Sequence, residues 1–539
     1  MSEVTDRSRE LLENPQSLDY PAPPRGRGEG TSAGVEVIVL FAVPLAVALA
    51  VAAPTTAAVP TTVAAPTTVA APTTAAAPGT LLAAAGKAKP KTKPNASPPE
   101  ARQPAAAKAF PFKTESHTLP NGLRVVLIPY DSPGLVAYWT LMRVGSRNEP
   151  EKGRSGYAHF FEHMMFRGTK QHPADDYNNT VTRLGLNTNA YTDLDLTVYH
   201  LYGPARSLPT IIEYEADRFQ NLSYDEAQFK TEAGAILGEY AKSSSNPEQK
   251  LAEVLQDTAF TKHTYKHTTI GFLQDIQAMP SGFAYSREFF RRYYEPDNAT
   301  VVVCGDFDAK DTLDRIQKAY SGWRGRTDPA PIPTEPRQTS HRRASIAWKS
   351  PTVPRLAIFW HAFGAKDVKD TAVQRVLAPY LFGKTSPLYE QLVLKKQMVD
   401  TIVPTDGIQR DPGLFGVLLR VKDEKNLKAA EHAVVTDVSN LARGRVDPAR
   451  LAAIKSNVRY ENIAELDKPD AIADALAQYT TLTGDLEYIN ALYREVDAVR
   501  PEDLVAFTKK ALLDANRTTV TLTTSTSAKS KSVASGGAQ

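Results

Sequence analysis

One helix-forming segment, GRSGYAHFFEHMMFRGT (153–169), decides what fold and chemistry are expected of this chain. At 3.6 residues per turn, His159 and His163 share one face of a helix predicted over 154–168, and Glu162 lies beside them. Nearly every other position in this helix is apolar, which predicts that it is buried. Buried imidazoles need partners, so these histidines are either hydrogen-bonded core residues or metal ligands. The H-x-x-E-H pattern favours a metal.

The metal expected at this helix is one zinc ion. A catalytic zinc site needs a third protein ligand besides two imidazoles and keeps one position open for water. Thiolate clusters are excluded, because the chain of 539 residues has a single cysteine, Cys304. H-x-x-E-H is the inverted form of the thermolysin-type motif. Through this motif the chain resembles the insulinase/pitrilysin metallopeptidase family, within it the two-domain branch of mitochondrial processing peptidase and its bacterial relatives. The resemblance covers about residues 111–524.

The resemblance implies a third zinc ligand on a second helix, roughly 75 residues after the second histidine. The segment SYDEAQFKTEAGAILGEY (223–240) supplies it, because 75 residues lie between His163 and Glu239. Glu232 lies two turns earlier on the same helical face. It is implied to support the site by contacting a ligand rather than the metal. The alternative is that both glutamates are solvated on an amphipathic helix.

The chemistry implied by this set of residues is hydrolysis of peptide bonds. His159, His163 and Glu239 would hold the zinc, and Glu162 would be the general base that takes a proton from the attacking water. The expected function is a zinc-dependent endopeptidase that acts on peptides or unfolded segments in a closed chamber. A different class is a weakly active or inactive peptide-binding scaffold of the same fold. The complete ligand set argues against that class.

Substrate contacts are expected in GLNTNAYTDLDLTVYH (185–200), which resembles the family strand that borders the cleft. Asn189 is expected to hydrogen-bond the substrate backbone, and Thr192 to line the site; a plain sheet edge with a turn is the alternative. Two further histidines occur in HTYKHTTIG (263–271). That segment resembles a loop of the family, so these histidines are given no ligand role.

The folded part of the chain contains two internal echoes. LVAYWTLMRVGS (135–146) and RLAIFWHAFGA (355–365) have the same buried-strand character and similar ends. FRRYYEPDNATVVV (290–303) and FTKKALLDANRTTVTL (507–522) both combine a helix end, a turn and a strand. Because the echoes occur in the same order, they predict two similar domains, although chance likeness of two such segments is the alternative.

The predicted fold class is α+β, with two homologous domains that each pack helices on a mostly antiparallel sheet. Helical patterns include 223–243, opened by a capping box of Ser223 and Glu226, and one helix over 274–293. The expected divisions are a leader with a hydrophobic signal or anchor segment (1–53), a disordered Pro/Thr/Ala repeat linker (54–110), an N-terminal catalytic zinc peptidase domain (111–328), an interdomain linker (329–340), an inactive homologous C-terminal domain (341–524) and a disordered tail (525–539).

The first hundred residues and the overall charge indicate where the protein works. Residues 37–53 form an apolar run preceded by Arg25 and Arg27, which favours export or membrane anchoring, with the body periplasmic or otherwise outside the cytoplasm. An alanine-rich tract without that role is the alternative. The repeated PTTAAV-type hexads that follow cannot bury a core and suit a tether. A net charge of +3 argues against a nucleic-acid partner.

The second half departs from the family pattern at one point. TSPLYEQLVLKKQMVDTIV (385–403) aligns with a family segment that carries an Arg…Tyr pair contacting the substrate. Val393 and Asp400 occupy those positions, and neither side chain donates a hydrogen bond to an oxyanion. The departure predicts that this chain is the zinc-bearing member of a pair whose second subunit supplies the Arg and Tyr. A homodimer with reduced activity is the alternative.

Overall fold

The computed structural model describes residues 108–525. The expected leader and tail, and nearly all of the repeat linker, lie outside the described residues. Ala109 and Phe110 are buried, although the sequence places them in the linker. The Phe110 N–H donates to Oδ1 of Asn490, and the Asn462 side chain donates to the carbonyl of Ala109. Within 108–525, no helix has the length and apolarity needed to cross a membrane.

The N-terminal half of the described chain contains a six-stranded sheet. Its strands are β1 (Glu115–Thr118), β2 (Arg124–Pro129), β3 (Leu135–Met142), β4 (Asn187–Thr192), β5 (Thr197–Pro204) and β6 (Ala299–Gly305). The strand order is β1-β2-β6-β3-β5-β4. The β2–β6 pair is parallel and all other neighbours are antiparallel. β4 is therefore an edge strand.

The C-terminal half repeats this arrangement in five strands. They are β7 (Arg342–Trp348), β8 (Arg355–His361), β9 (Val399–Thr405), β10 (Leu414–Val421) and β11 (Arg517–Thr524), in the order β7-β11-β8-β10-β9. The β7–β11 pair is parallel and the rest are antiparallel. Without β1, the first sheet has the same order and the same directions. The two pairs of echoing segments become β3 with β8 and β6 with β11, so the predicted α+β fold of two similar domains is confirmed.

Helices cover both sheets. Those of the N-terminal half are α1 (Tyr157–Met164), α2 (Ala174–Leu184), α3 (Leu208–Asn221), α4 (Glu226–Ser243), α5 (Pro247–Ala259), α6 (Leu273–Ala278), α7 (Phe283–Tyr293) and α8 (Ala309–Ala319). Those of the C-terminal half are α9 (Val368–Phe382), α10 (Pro387–Tyr389) with a following π-helix (Glu390–Lys395), α11 (Leu427–Ala442), α12 (Pro448–Ala464), α13 (Pro469–Thr483), α14 (Tyr488–Ala498) and α15 (Pro501–Ala511).

Two helix predictions were wrong in detail. The capping box of α4 is formed by Asp225 and Gln228, not by Ser223 and Glu226, so the helix begins three residues later than expected. The helix expected over 274–293 is broken into α6 and α7 by a short 3₁₀ turn at Met279–Ser281. Pro280 lies in that turn and cannot donate a backbone hydrogen bond to a continuous helix.

The first sheet is buried on both faces, and the two faces have different neighbours. One face, including Val125 and Leu127, packs in one apolar cluster with α1, α4 and α7. The other face, including Val126 and Trp139, belongs to a cluster with the helices of the C-terminal half. The α1 segment and its histidines therefore lie on the side of the sheet away from the second domain.

Candidate metal centre

The helix α1 is fixed in the core before any metal is considered. Phe160 contacts Phe229 of α4 with ring centroids 5.0 Å apart, and Phe161 stacks on Phe289 of α7 at 5.7 Å. Each of these side chains has 0% of its surface exposed. This packing holds α1 against α4, and so brings the histidine motif to the face of α4 that carries the two distant glutamates.

Three side chains converge as metal ligands would. Nε2 of His159 lies 3.6 Å from Oε2 of Glu239, and Nε2 of His163 lies 3.4 Å from the same oxygen. One ligand atom from each residue falls within 4.8 Å of the others. Ligands about 2.0–2.2 Å from a tetrahedral zinc ion lie roughly 3.3–3.6 Å from one another. The spacing around Glu239 therefore suits one zinc ion.

Unsatisfied polar atoms in the same cluster support the fit. Both ring nitrogens of His159, Nε2 of His163 and Oε1 of Glu239 are buried and have no hydrogen-bond partner among the described residues. His159 is 3% exposed. Leaving a buried polar atom unpaired costs about 1–3 kcal/mol. A cation bound between these residues would satisfy one nitrogen of each imidazole and the carboxylate of Glu239. A set of two imidazoles and one carboxylate is a zinc-type donor set.

Glu232, which the resemblance implied to support the site, lies against His163. Its Oε1 lies 2.9 Å from Nδ1 of His163, and its Oε2 accepts from Arg167. An ionised carboxylate can only accept, so the ring proton of His163 is placed on Nδ1. The lone pair on Nε2 is then directed at Glu239 and His159. Glu232 itself is 2% exposed, and the ion pair with Arg167 compensates its charge.

The electrostatics of the cluster favour the ligand forms of two of its groups. Burial lowers the pKa of His159, so its imidazole is neutral. Burial opposes ionisation of Glu239, but the close approach of the His163 and His159 rings outweighs it and lowers the pKa of Glu239. Burial likewise disfavours the charged form of His163, yet its contacts with Glu232 and Glu239 raise its pKa to about 10. A cation between these carboxylates would replace that proton.

Glu162 is the unpaired acid beside the ligands. It is 2% exposed, and neither of its carboxylate oxygens has a hydrogen-bond partner among the described residues. It precedes His163 by one position and is not one of the three converging ligands. A buried carboxylate without a partner is costly, and such costs concentrate at functional sites.

The expected substrate residues occupy the edge strand β4, which α1 contacts. Asn189 lies opposite His200 and uses Oδ1 to accept the N–H of Ala190. Thr192 is buried, and its hydroxyl lies 3.4 Å from that of Thr197. The Thr192 side chain therefore contacts the neighbouring strand β5. No other strand among residues 108–525 pairs with the outer edge of β4.

The segment of the second domain with the departure from the family pattern is ordered. Val393 is partly buried against the apolar cluster of that domain, and Asp400 lies 3.7 Å from Arg420 across the β9–β10 pair. The histidines of 263–271 are outside the converging cluster. His263 contacts Asp411 at 3.0 Å, and Nδ1 of His267 lies 3.0 Å from the carbonyl of Thr268.

Two residues that position the site were missed from the sequence. Glu149 accepts the backbone N–H groups of Gly156 and Ala158 at 2.7 and 2.6 Å, and so caps α1 from outside the helix. Burial raises the pKa of Glu149 to about 8, although these hydrogen bonds oppose the rise. Arg167 neutralises Glu232. Both residues are visible in the sequence: Glu149 lies seven residues before Gly156, the N-cap of α1, and Arg167 lies four residues after His163. No local sequence pattern, however, predicts which groups they contact.

Two family models match the chain. One described as "Insulinase (Peptidase family M16)" matches residues 125–271, and one described as "Peptidase M16 inactive domain" matches residues 285–458. The first match contains Glu162 and the three converging ligands. The second contains the segment in which Val393 and Asp400 occur.

Individual proteins agree with these matches. "Zinc protease PqqE" of Helicobacter pylori is 28% identical over 424 residues, which is 77% of this chain and 94% of that protein. "Mitochondrial-processing peptidase subunit beta" of Lentinula edodes is 23% identical and covers 75% of this chain and 88% of its own. A crystal structure described as a protease from Helicobacter pylori superposes with a TM-score of 0.72 at 28% identity, and covers 76% of this chain and 99% of its own.

Proposed function

Because the chain belongs to the insulinase family of peptidases, M16, we propose that it is a zinc-dependent endopeptidase that cleaves peptides or unfolded segments. The observation that carries the proposal is the convergence of His159, His163 and Glu239 around unsatisfied ligand atoms, with Glu162 unpaired beside them. The alternative is a weakly active or inactive peptide-binding subunit of the same fold. The complete set of ligands favours the enzyme.

The donor set would hold one zinc ion. When bound there, zinc would act as a Lewis acid that polarises a peptide carbonyl and lowers the pKa of a water molecule. Glu232 fixes the tautomer of His163 through Nδ1, and Arg167 keeps Glu232 ionised. Glu162 takes the proton from the attacking water and delivers it to the leaving amine. The apolar packing of α1 removes most of the water around His159 and Glu162, which strengthens their electrostatic interactions.

The substrate is proposed to lie along the edge strand β4. An extended peptide can add to a sheet edge through main-chain hydrogen bonds, which require no particular side-chain sequence. Asn189 would contribute a side-chain contact to that peptide, and Thr192 would line the site mainly by shaping the strand. Loss of one such contact is worth about 0.5–1.5 kcal/mol, so Asn189→Ala should raise KM roughly 2–12-fold. An unchanged KM would contradict this placement.

A second chain is proposed to complete the site. Val393 and Asp400 cannot stabilise an oxyanion, so a partner subunit with the Arg and Tyr is expected, or else a homodimer of reduced activity. The relatives named as the beta subunit of mitochondrial-processing peptidase are, by name, parts of an assembly. The domain limits proposed are those of the sequence: catalytic 111–328, linker 329–340 and non-catalytic 341–524. The leader 1–53 is proposed to export or anchor the chain, with the linker that follows as a tether as far as Ala109 and Phe110, which pack on the second domain.

The test of the proposed function is peptide cleavage by the purified full chain, with metal content measured in parallel. One zinc per chain, cleavage of an unfolded peptide and loss of cleavage in a chelator that zinc reverses are the expected results. A chain that binds no zinc, or that binds it and cleaves nothing even with associated subunits present, would support the scaffold alternative. Full activity of the single chain would overturn the need for a partner.

Glu232→Gln should weaken zinc binding by about 10–100-fold. The neutral amide no longer offers a negatively charged acceptor to the Nδ1–H group of His163. Competition with a chromogenic chelator measures this affinity. Glu226→Gln is the matched control, since Glu226 is exposed on the same helix and pairs with Lys230, one turn away on the solvent side. Equal affinities for the two variants would contradict the positioning role of Glu232.

A further inference from the structure

A small polar cavity of about 90 Å³ lies between the two domains, apart from the metal centre. It is bounded by the start of β2, the ends of β3 and β6 that adjoin it, and the last turn of α13. Arg124, Arg143, Thr300, Thr480 and Asp297 are among its lining residues. Arg124 and Arg143 are each two residues from Val126 and Leu141, respectively, and therefore share the face of the sheet that these residues turn to the C-terminal domain. The sheet therefore separates this cavity from α1.

The two guanidinium groups at the cavity have more N–H donors than the surrounding residues have acceptors for them. Nε of Arg143 is buried and has no hydrogen-bond partner, and neither Arg124 nor Arg143 forms an ion pair within residues 108–525. Nη1 of Arg124 donates to the carbonyl of Gly484 at 2.6 Å. A Cβ added at Gly484 would lie 3.7 Å from Nη1 of Arg143, so both side chains meet the same turn after α13. The hydroxyl of Thr480 in that turn is also buried without a partner.

No carboxylate among residues 108–525 forms an ion pair with either arginine, although Asp195 acts on Arg143 from a distance. Burial and the neighbouring Arg410, Arg124 and Arg147 lower the pKa of Arg143 to about 10, which leaves it charged at neutral pH. The carboxylates nearby are already engaged. They are Asp411, which pairs with Arg147, Asp195, which accepts from Tyr265 and from the backbone of Arg410, and Asp297, which accepts both donors of Thr327.

We propose that this cavity binds an inorganic oxyanion of the size of phosphate or sulfate, held by Arg124, Arg143 and the hydroxyl of Thr480. The planar fork of arginine matches two oxygens of such an anion. A single water needs only about 10–15 Å³, so the cavity has room for a five-atom anion. Because the arginines belong to the first domain and Thr480 to the second, the anion stabilises the contact between the domains rather than the chemistry.

The test is thermal unfolding of the full chain in a zwitterionic buffer, with ionic strength held constant by sodium chloride. Sodium phosphate or sodium sulfate should raise Tm by roughly 2–4 °C in a saturable way. The two salts are compared in separate titrations, which show which anion the cavity prefers. Arg143→Met should abolish the rise. It should also melt no lower than the unmodified chain in the zwitterionic buffer, because it removes a buried charge without a partner.

Arg326→Met, at an exposed arginine near the end of the first domain, is the control and should keep the full rise. Thr480→Val and Arg124→Gln should each reduce the rise, and they provide the answer if Arg143→Met does not fold. The proposal is overturned if neither phosphate nor sulfate raises Tm beyond chloride. It is equally overturned if Arg143→Met, or both of the other variants, retain the whole effect.

Discussion

Glu162→Gln should keep its zinc and lose peptide cleavage by about 10²–10⁴-fold in kcat. The carboxylate is buried beside the ligands, and neither of its oxygens is hydrogen-bonded to another described residue. An amide of the same size preserves the packing of α1 but cannot accept the proton of the attacking water. Since Glu162 is outside the set of three ligand atoms, metal content should remain at one ion per chain.

The measurement combines zinc analysis with steady-state kinetics on one unfolded peptide. Glu213→Gln provides a control on α3, where an exposed glutamate has no contact with the cluster. KM should change little, because the proposed peptide contacts lie on β4. If the Glu162→Gln chain loses its zinc, Glu162 is a ligand and the assigned roles are wrong. If it keeps both zinc and activity, another group is the base.

The fold was predictable where local pattern and long-range structure agree. The likeness of 135–146 to 355–365 anticipated β3 and β8, which occupy equivalent central places in the two sheets. Strand order, however, depends on which strands pair. The parallel β2–β6 and β7–β11 pairs join segments about 175 residues apart, and nothing in either segment alone specifies such a partner.

Helix ends were less predictable, because several residues compete to cap them. Both Ser223 and Asp225 are good caps, with Glu226 and Gln228 as their reciprocal partners. The structure uses the second pair. Capping strength alone does not distinguish the two pairs, whereas the long-range contact of the buried Phe229 with Phe160 fixes where α4 lies. A one-sequence pattern carries no information on that packing.

The candidate site divides in the same way. The two histidines and Glu162 were derived from helical spacing, which is a local property. Glu239 and Glu232 entered only through the resemblance, because the approach of α4 to α1 depends on the Phe160–Phe229 contact. The structure brings all five together, and adds Arg167, whose role depends on the same approach.

The second large effect is expected on replacing His159, whose two ring nitrogens are buried without hydrogen-bond partners among the described residues. His159→Leu should remove zinc binding and reduce cleavage by more than about 10³-fold, since a metal supplies several kcal/mol of transition-state stabilisation. In chelator the variant should be at least as stable as the unmodified chain. Its leucine needs no partners, whereas the buried imidazole leaves two nitrogens unsatisfied, each costing about 1–3 kcal/mol.

Thermal unfolding with and without zinc distinguishes these contributions. Zinc at about 1,000 times its Kd should stabilise the unmodified chain by about 4 kcal/mol and the His159→Leu chain not at all. His267→Leu is a matched control, because His267 is also buried and its Nε2 has no hydrogen-bond partner, with Glu149 at 3.8 Å, but it lies outside the converging ligands. It should keep the zinc-dependent rise in Tm. Equal zinc stabilisation of both variants would show that His159 is not a ligand, and that its buried nitrogens are a feature of the core alone.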